Sequence, residues 1–345
     1  MLTSHEALGN HGRFRVSLSI VLPDFPLIAQ NTDLTVEMLF ASAFPEIHVS
    51  NLHLLLPLFS SVTFVFGMMY ARKAIGRGAS PFTGTFYGNL WLGIGWLIVA
   101  IVRWDIMPVT EWWRPAIVGL LFFSGQFFTY AAFRFGDVSV AAPIFGVKIL
   151  FVAVLSSMSS GQGIPTSVWT AAFVATAGIV LVQLAPGSTQ QHARRRLLIT
   201  VITALLAALS LSVFDVMLQH WGKRFGALPF LPVMFAAAAG FSFVLLPWVS
   251  SVSQLKSTLG LRPMFIATVL MALQALGMTV VLSQFGDATR VNIVYALRGL
   301  WAIVFPWMLA RAFEGGERHA SRNVMFRRAA GAVLLTSAVV ISLFP

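Results

Sequence analysis

The chain has 345 residues, 57% of them hydrophobic and 10% charged, with a formal net charge of +11. A soluble domain carries about 25% charged residues, so this composition excludes an ordinary soluble globule, whose helices would each need a charged face. The lack of Cys excludes disulfides, thiolate metal sites and Cys nucleophiles. The surplus of Lys and Arg lies in short stretches between apolar runs, which suits topology determinants and not a nucleic-acid-binding face.

Residues 1–50 read as an arm that is flexible or lies on a surface, with five acids (Glu6, Asp24, Asp33, Glu37, Glu46), Arg13, Arg15 and several Pro. The apolar run Val16–Leu22 is too short to span a bilayer and stops at Pro23-Asp24, with no clean cleavage site after it. Met38 is an alternative start.

Ten hydrophobic segments follow, near 53–71, 82–102, 115–133, 138–157, 167–184, 197–218, 229–249, 263–283, 288–310 and 327–344. Each approaches the ~20 residues that cross a ~30 Å hydrocarbon core. The expected fold is therefore an all-α membrane protein of ten transmembrane helices, here placed in a bacterial inner (plasma) membrane. Turn and polar signals punctuate the segments, among them Gly76-Arg77-Gly78, Gly161-Gln162-Gly163 and Glu314-Gly315-Gly316-Glu317. Loops after the odd-numbered segments carry twice as many basic residues as the opposite side, which puts those loops in the cytoplasm and both termini across the membrane.

An internal duplication organises the chain. Phe135-Gly136-Asp137-Val138-Ser139 recurs as Phe285-Gly286-Asp287-Ala288-Thr289, an offset of 150. Eleven residues after each Asp stands a basic residue within an apolar segment, Lys148 and Arg298, again 150 apart. Gly178 and Gly331 continue the match, and Gly78-Ala79 pairs with Gly226-Ala227. The expected organisation is a first five-helix repeat over 51–186 and a second over 187–345. Five is odd, so the second copy enters from the opposite side, giving two inverted repeats with a substrate site near the midplane.

The ten-helix layout, with Ala131-Ala132-Phe133-Arg134-Phe135-Gly136-Asp137-Val138-Ser139-Val140-Ala141-Ala142-Pro143 and Gly286-Asp287-Ala288-Thr289, resembles the drug/metabolite transporter superfamily, specifically its EamA-type members. The resemblance covers about residues 53–344. It implies a transporter, with substrates ranging over amino acids, nucleotide sugars, phosphorylated metabolites and drugs. The plastid-type phosphate translocators of this superfamily hold phosphate with a Lys in helix four and a Lys-Arg pair in helix nine. Lys148 resembles the first and Arg298 the Arg, but Leu297 replaces the neighbouring Lys.

Counted along a continuous helix, Lys148 and Arg298 lie ~16 Å past their Asp, about half-way through the hydrocarbon. A cation there costs at least ~2.5–3.5 kcal/mol and calls for a partner or a polar cavity. Two cations around one cavity invite an anion, and the Arg fork suits an oxyanion. Asp215 offers the bland alternative of a buried ion pair. Both hold if Asp215 releases its cation on substrate binding or protonation, a coupling role. Phe145 and Tyr295 precede the cations by three residues on the same helical face, and Asn292, Gln126 and Gln274 are further polar candidates. Each also reads as a packing or interhelical contact. Asp137 and Asp287 read as helix caps. His53 and His220 lack partners for a metal or haem site.

No HExxH, CxxC, Walker loop or GxSxG occurs. The expectation is a secondary transporter, not an enzyme, moving a small phosphorylated or carboxylate-bearing anion by alternating access. An amino-acid or drug exporter and a lipid scramblase are the alternatives. The expected partners are a small-molecule substrate and the lipid bilayer, with no nucleic acid, cofactor or metal, in a monomer or homodimer.

Overall fold

A computed structural model describes residues 49–103, 106–135, 141, 144–160, 164–183, 194–308 and 322–343. The first half contributes α1 (Leu55–Gly76), α2 (Pro81–Arg103), α3 (Trp113–Phe135), α4 (Lys148–Ser160) and α5 (Thr166–Gln183). The second contributes α6 (Arg194–Met217), α7 (Ala227–Ser242), α8 (Leu261–Gln284), α9 (Ala288–Tyr295), α10 (Arg298–Met308) and α11 (Arg322–Leu343). A π-helical turn, Leu218–Gly222, follows α6, and a 3-10 segment, Phe243–Trp248, extends α7.

The burial pattern is inside-out relative to a soluble bundle. On α6 the large residues Leu198, Ile202, Leu205 and Leu209 are exposed, while Ala204, Ala207 and Ala208 are buried. On α2, Leu97, Ile98, Ile101 and Val102 face outwards. In water such faces would form apolar patches far beyond those of a monomeric soluble protein. Against hydrocarbon they cost nothing, and close packing of small residues holds the helices together instead. Among the described residues, six helices are long and apolar enough to cross a membrane. The protein is an all-α, multi-pass membrane protein.

The helices pair across the two halves: α1 with α8, α3 with α6, α2 with α7, and α5 with α11. Gly178 and Gly331 allow a close approach in the α5–α11 contact. A Cβ on Gly178 would lie 3.0 Å from the Gly331 carbonyl oxygen, and one on Gly331 would lie 2.8 Å from that of Gly178. Ala171, Ala172, Ala175 and Ala338 complete this small-residue seam.

Two segments expected as single helices, 138–157 and 288–310, are instead interrupted, each just before its cation. Turns at Gly146–Val147 and Ala296–Leu297 make Lys148 the first residue of α4 and Arg298 the first of α10. Their hydrogen bonds match one for one. Val147 N–H donates to Ile144 O at 3.0 Å as Leu297 N–H does to Val294 O at 3.1 Å. Ile149 N–H donates to Gly146 O at 3.4 Å as Gly299 N–H does to Ala296 O at 2.9 Å. These i−3 bonds tighten the backbone into a 3-10-like turn. Apolar periodicity continues unbroken across both turns and no Pro stands at either, so the pattern of residues does not register them.

Candidate functional site

The two interrupted helices meet. α4 packs on α9, on α6 and on α5, and α1 packs on both α9 and α10. A small cavity lies at this meeting point, lined by Phe145, Lys148, Asn292, Tyr295 and Arg298, with Ile149, Ile179 and Ala296 completing its wall. Five of the seven substrate-site residues expected from sequence are thus brought together.

The surroundings of the two cations differ. Lys148 Nζ lies 2.8 Å from Asp215 Oδ2, with side chains only 12% and 3% exposed. Asn292 Nδ2 donates to that same Oδ2 at 2.7 Å and to Ala288 O at 2.9 Å. One carboxylate oxygen therefore joins α4 to α9 through α6. Ser212, one turn before Asp215, donates to Lys148 O at 3.1 Å and to Ala208 O at 2.7 Å. Arg298 instead lies over aromatic rings, its Cζ 4.4 Å from the Tyr295 centroid and 5.1 Å from that of Phe64. Those two rings meet edge-on at 6.0 Å. A cation over a desolvated ring gains ~0.5–2 kcal/mol from the ring quadrupole.

Chemically, the carboxylate offsets one of the two cations lining the cavity and leaves one positive charge. The breaks add to it. Each cation begins a half-helix, whose N-terminal end carries a partial positive charge.

Gln126 and Gln274 stand apart from this site. Asn89 Nδ2 on α2 donates to Gln126 Oε1 at 3.0 Å and to Ser242 Oγ at 2.7 Å, a polar tie between α2, α3 and α7. Gln274 is half-buried on α8, outside the cavity lining. Sequence reasoning missed Asn89, Ser212 and Phe64. Ser212 was within reach, because it lies one turn from Asp215 on the same apolar helix.

Asp287 caps α9, accepting from Arg290 N–H at 3.4 Å, and its Oδ2 lies 3.7 Å from Arg290 Nε. Burial pushes its carboxyl above the ordinary range, while Arg290, His53 and Lys223 draw it back down. Asp137, expected to cap in the same way, lies outside the described residues. His53 stacks on Phe285 at 5.1 Å, and His220 is exposed within the π turn. Among the described residues no group of three or more His, Cys, Asp or Glu is arranged to hold a metal.

Broken apolar helices around a buried charged cavity are the anatomy of a membrane carrier. Residues 51–184 match the EamA-like transporter family. That segment of the chain thus carries an EamA-like transporter domain. A crystal structure 18% identical to this chain superposes with a TM-score of 0.59, covering 84% of this chain and 96% of that one. At that identity the likeness is one of fold. No curated protein matches the chain in sequence.

Proposed function

We propose that the protein is a secondary transporter of a small anionic metabolite, working by alternating access between two inverted five-helix repeats in a bacterial inner membrane. The observation that carries this reading is the placement of Lys148 and Arg298, 150 residues apart, as the first residues of two half-helices lining one cavity. A half-buried net positive charge at two half-helix N-termini suits an oxyanion. The helix pairing supports the inverted plan. Exchanging the halves turns α1–α8 into α6–α3, returns α2–α7 and α5–α11 to themselves, and turns α4–α6 into the contacts of α9 and α10 with α1.

Because Asp215 already offsets Lys148, a singly charged carboxylate matches the leftover charge better than a doubly charged phosphate. Leu297 in place of a second cation points the same way. Asp215 is then the counter-ion that holds Lys148 until an anion, or a proton on Asp215, frees it.

The test is a thermal-stability screen of the purified protein against organic acids, amino acids and phosphorylated metabolites. Carboxylates are expected to stabilise the parent, and Arg298→Ala and Lys148→Ala to abolish the effect. A solute that stabilises both variants as well as the parent would sink the anion site. Saturable counterflow of the hit in proteoliposomes separates a carrier from a scramblase, which would move lipid alone.

A further inference from the structure

Beyond the cavity, α6 and the start of α9 continue in contact along a polar seam. At its inner end Asp215 accepts from Asn292 at 2.7 Å. About one turn further along α6's continuation, Gln219 Oε1 accepts from the Ala288 backbone N–H at 2.9 Å. About another turn on, Lys223 lies against the turn before α9. A Cβ built on Gly286 would stand 3.1 Å from Lys223 Cδ and 3.3 Å from Gln219 Cγ, and Lys223 is among the cations that favour ionised Asp287. Positions 215, 219 and 223 thus step outwards along one helix while their partners step backwards through 292, 288 and 286–287.

Three features set this seam apart from ordinary packing. Its inner rung uses the same Asp215 oxygen that holds Lys148, so the cation and the seam share one acceptor. Its middle lies on the π turn Leu218–Gly222, a rare conformation that concentrates at functional segments. Its outer end depends on Gly286, whose φ of +71° is the left-handed region that lets the chain lie flush on Lys223 and Gln219. The π turn itself fits tightly against α8, where a Cβ on Gly222 would meet Ser283 Cβ at 2.7 Å. His53, just before α1, reaches the same end through its stack on Phe285.

We propose that this seam is the gate closing the anion path towards the end of the bundle where α9 begins, and that Gln219 is the positioning residue that holds it shut. The gate rests on the anion-site reading, because it needs a solute path to close. Gln219 is not part of the cavity lining; it satisfies the N–H of Ala288, which otherwise has to find water.

The chain has no Cys, so a single Thr289→Cys reports on the seam without a background signal. Thr289 is 3% exposed, in the first turn of α9. In proteoliposomes a polar maleimide should label it slowly in the parent and about tenfold faster with Gln219→Ala, the loss of one hydrogen bond. Gln219→Leu, which fills the space without an acceptor, carries the same expectation if the alanine variant folds poorly. Ala175→Cys, buried in the α5–α11 seam, should label at an unchanged rate. Unchanged labelling at Thr289→Cys overturns the gate. So does an equal rise at Ala175→Cys, which would mean general loosening. The measurement needs no transported solute, so its failure leaves the anion site standing, and a failed solute screen leaves the labelling result readable.

Discussion

Lys148 and Arg298 occupy the same backbone position in two different environments. Both follow a 3-10-like turn with matching hydrogen bonds, and both face one cavity. Lys148 is paired with a carboxylate, whereas Arg298 rests on Tyr295 and Phe64. The duplicated backbone sets where the charges sit. The side chains that pack against it set which charge is paired with a carboxylate and which rests on aromatic rings. Two equivalent cations would suit a dianion held equally from both sides; on the proposed reading, the asymmetry confines the charge available to an anion to Arg298.

The sharpest break in this comparison is Lys148→Ala, which strands Asp215 as a buried unpaired carboxylate. Denaturant or thermal unfolding in detergent should show a loss of ~3–5 kcal/mol. Adding Asp215→Ala should recover most of it, because the double variant leaves no stranded carboxylate. Asn292→Ala removes one of the two donors on Asp215 Oδ2 and is expected to cost ~1–3 kcal/mol by the same measurement. Arg298→Ala leaves no stranded charge. Its expected stability cost is only the lost stacking, ~0.5–2 kcal/mol, although solute stabilisation disappears completely. Smallest is Phe64→Leu, ~0.5–1 kcal/mol, with Tyr295 still beneath the guanidinium. Should Lys148→Ala and Arg298→Ala destabilise equally, Arg298 has an anionic partner of its own and the asymmetry is wrong.

The cations themselves were legible in the sequence. A Lys and an Arg in apolar runs, at one offset from a repeated Phe-Gly-Asp, stand out because the bilayer makes such residues costly. Asp287 as a cap was legible too, because capping is local: its carboxylate needs only the N–H three residues on. The turns at Gly146–Val147 and Ala296–Leu297 were not. Residues on both sides of each are apolar, and a one-turn tightening leaves the hydrophobic pattern intact. Gln126 looked as eligible for the cavity as Asn292, yet its partner is Asn89 on a neighbouring helix. A polar residue in an apolar helix announces that it needs a partner, not which one.

The sequence by itself determined the class and the plan. Hydrophobic content that no soluble surface can accommodate, basic connections, and a duplication carrying two cations follow from composition and spacing, because transfer into hydrocarbon acts on each segment alone. Tertiary structure alone decided that Asp215 pairs with Lys148 and not Arg298, that Asn292 shares its oxygen, and that Gln219 reaches the start of α9. Each of these joins helices far apart in the chain, and a hydrogen bond is set by where packing brings donor and acceptor to within about 3 Å.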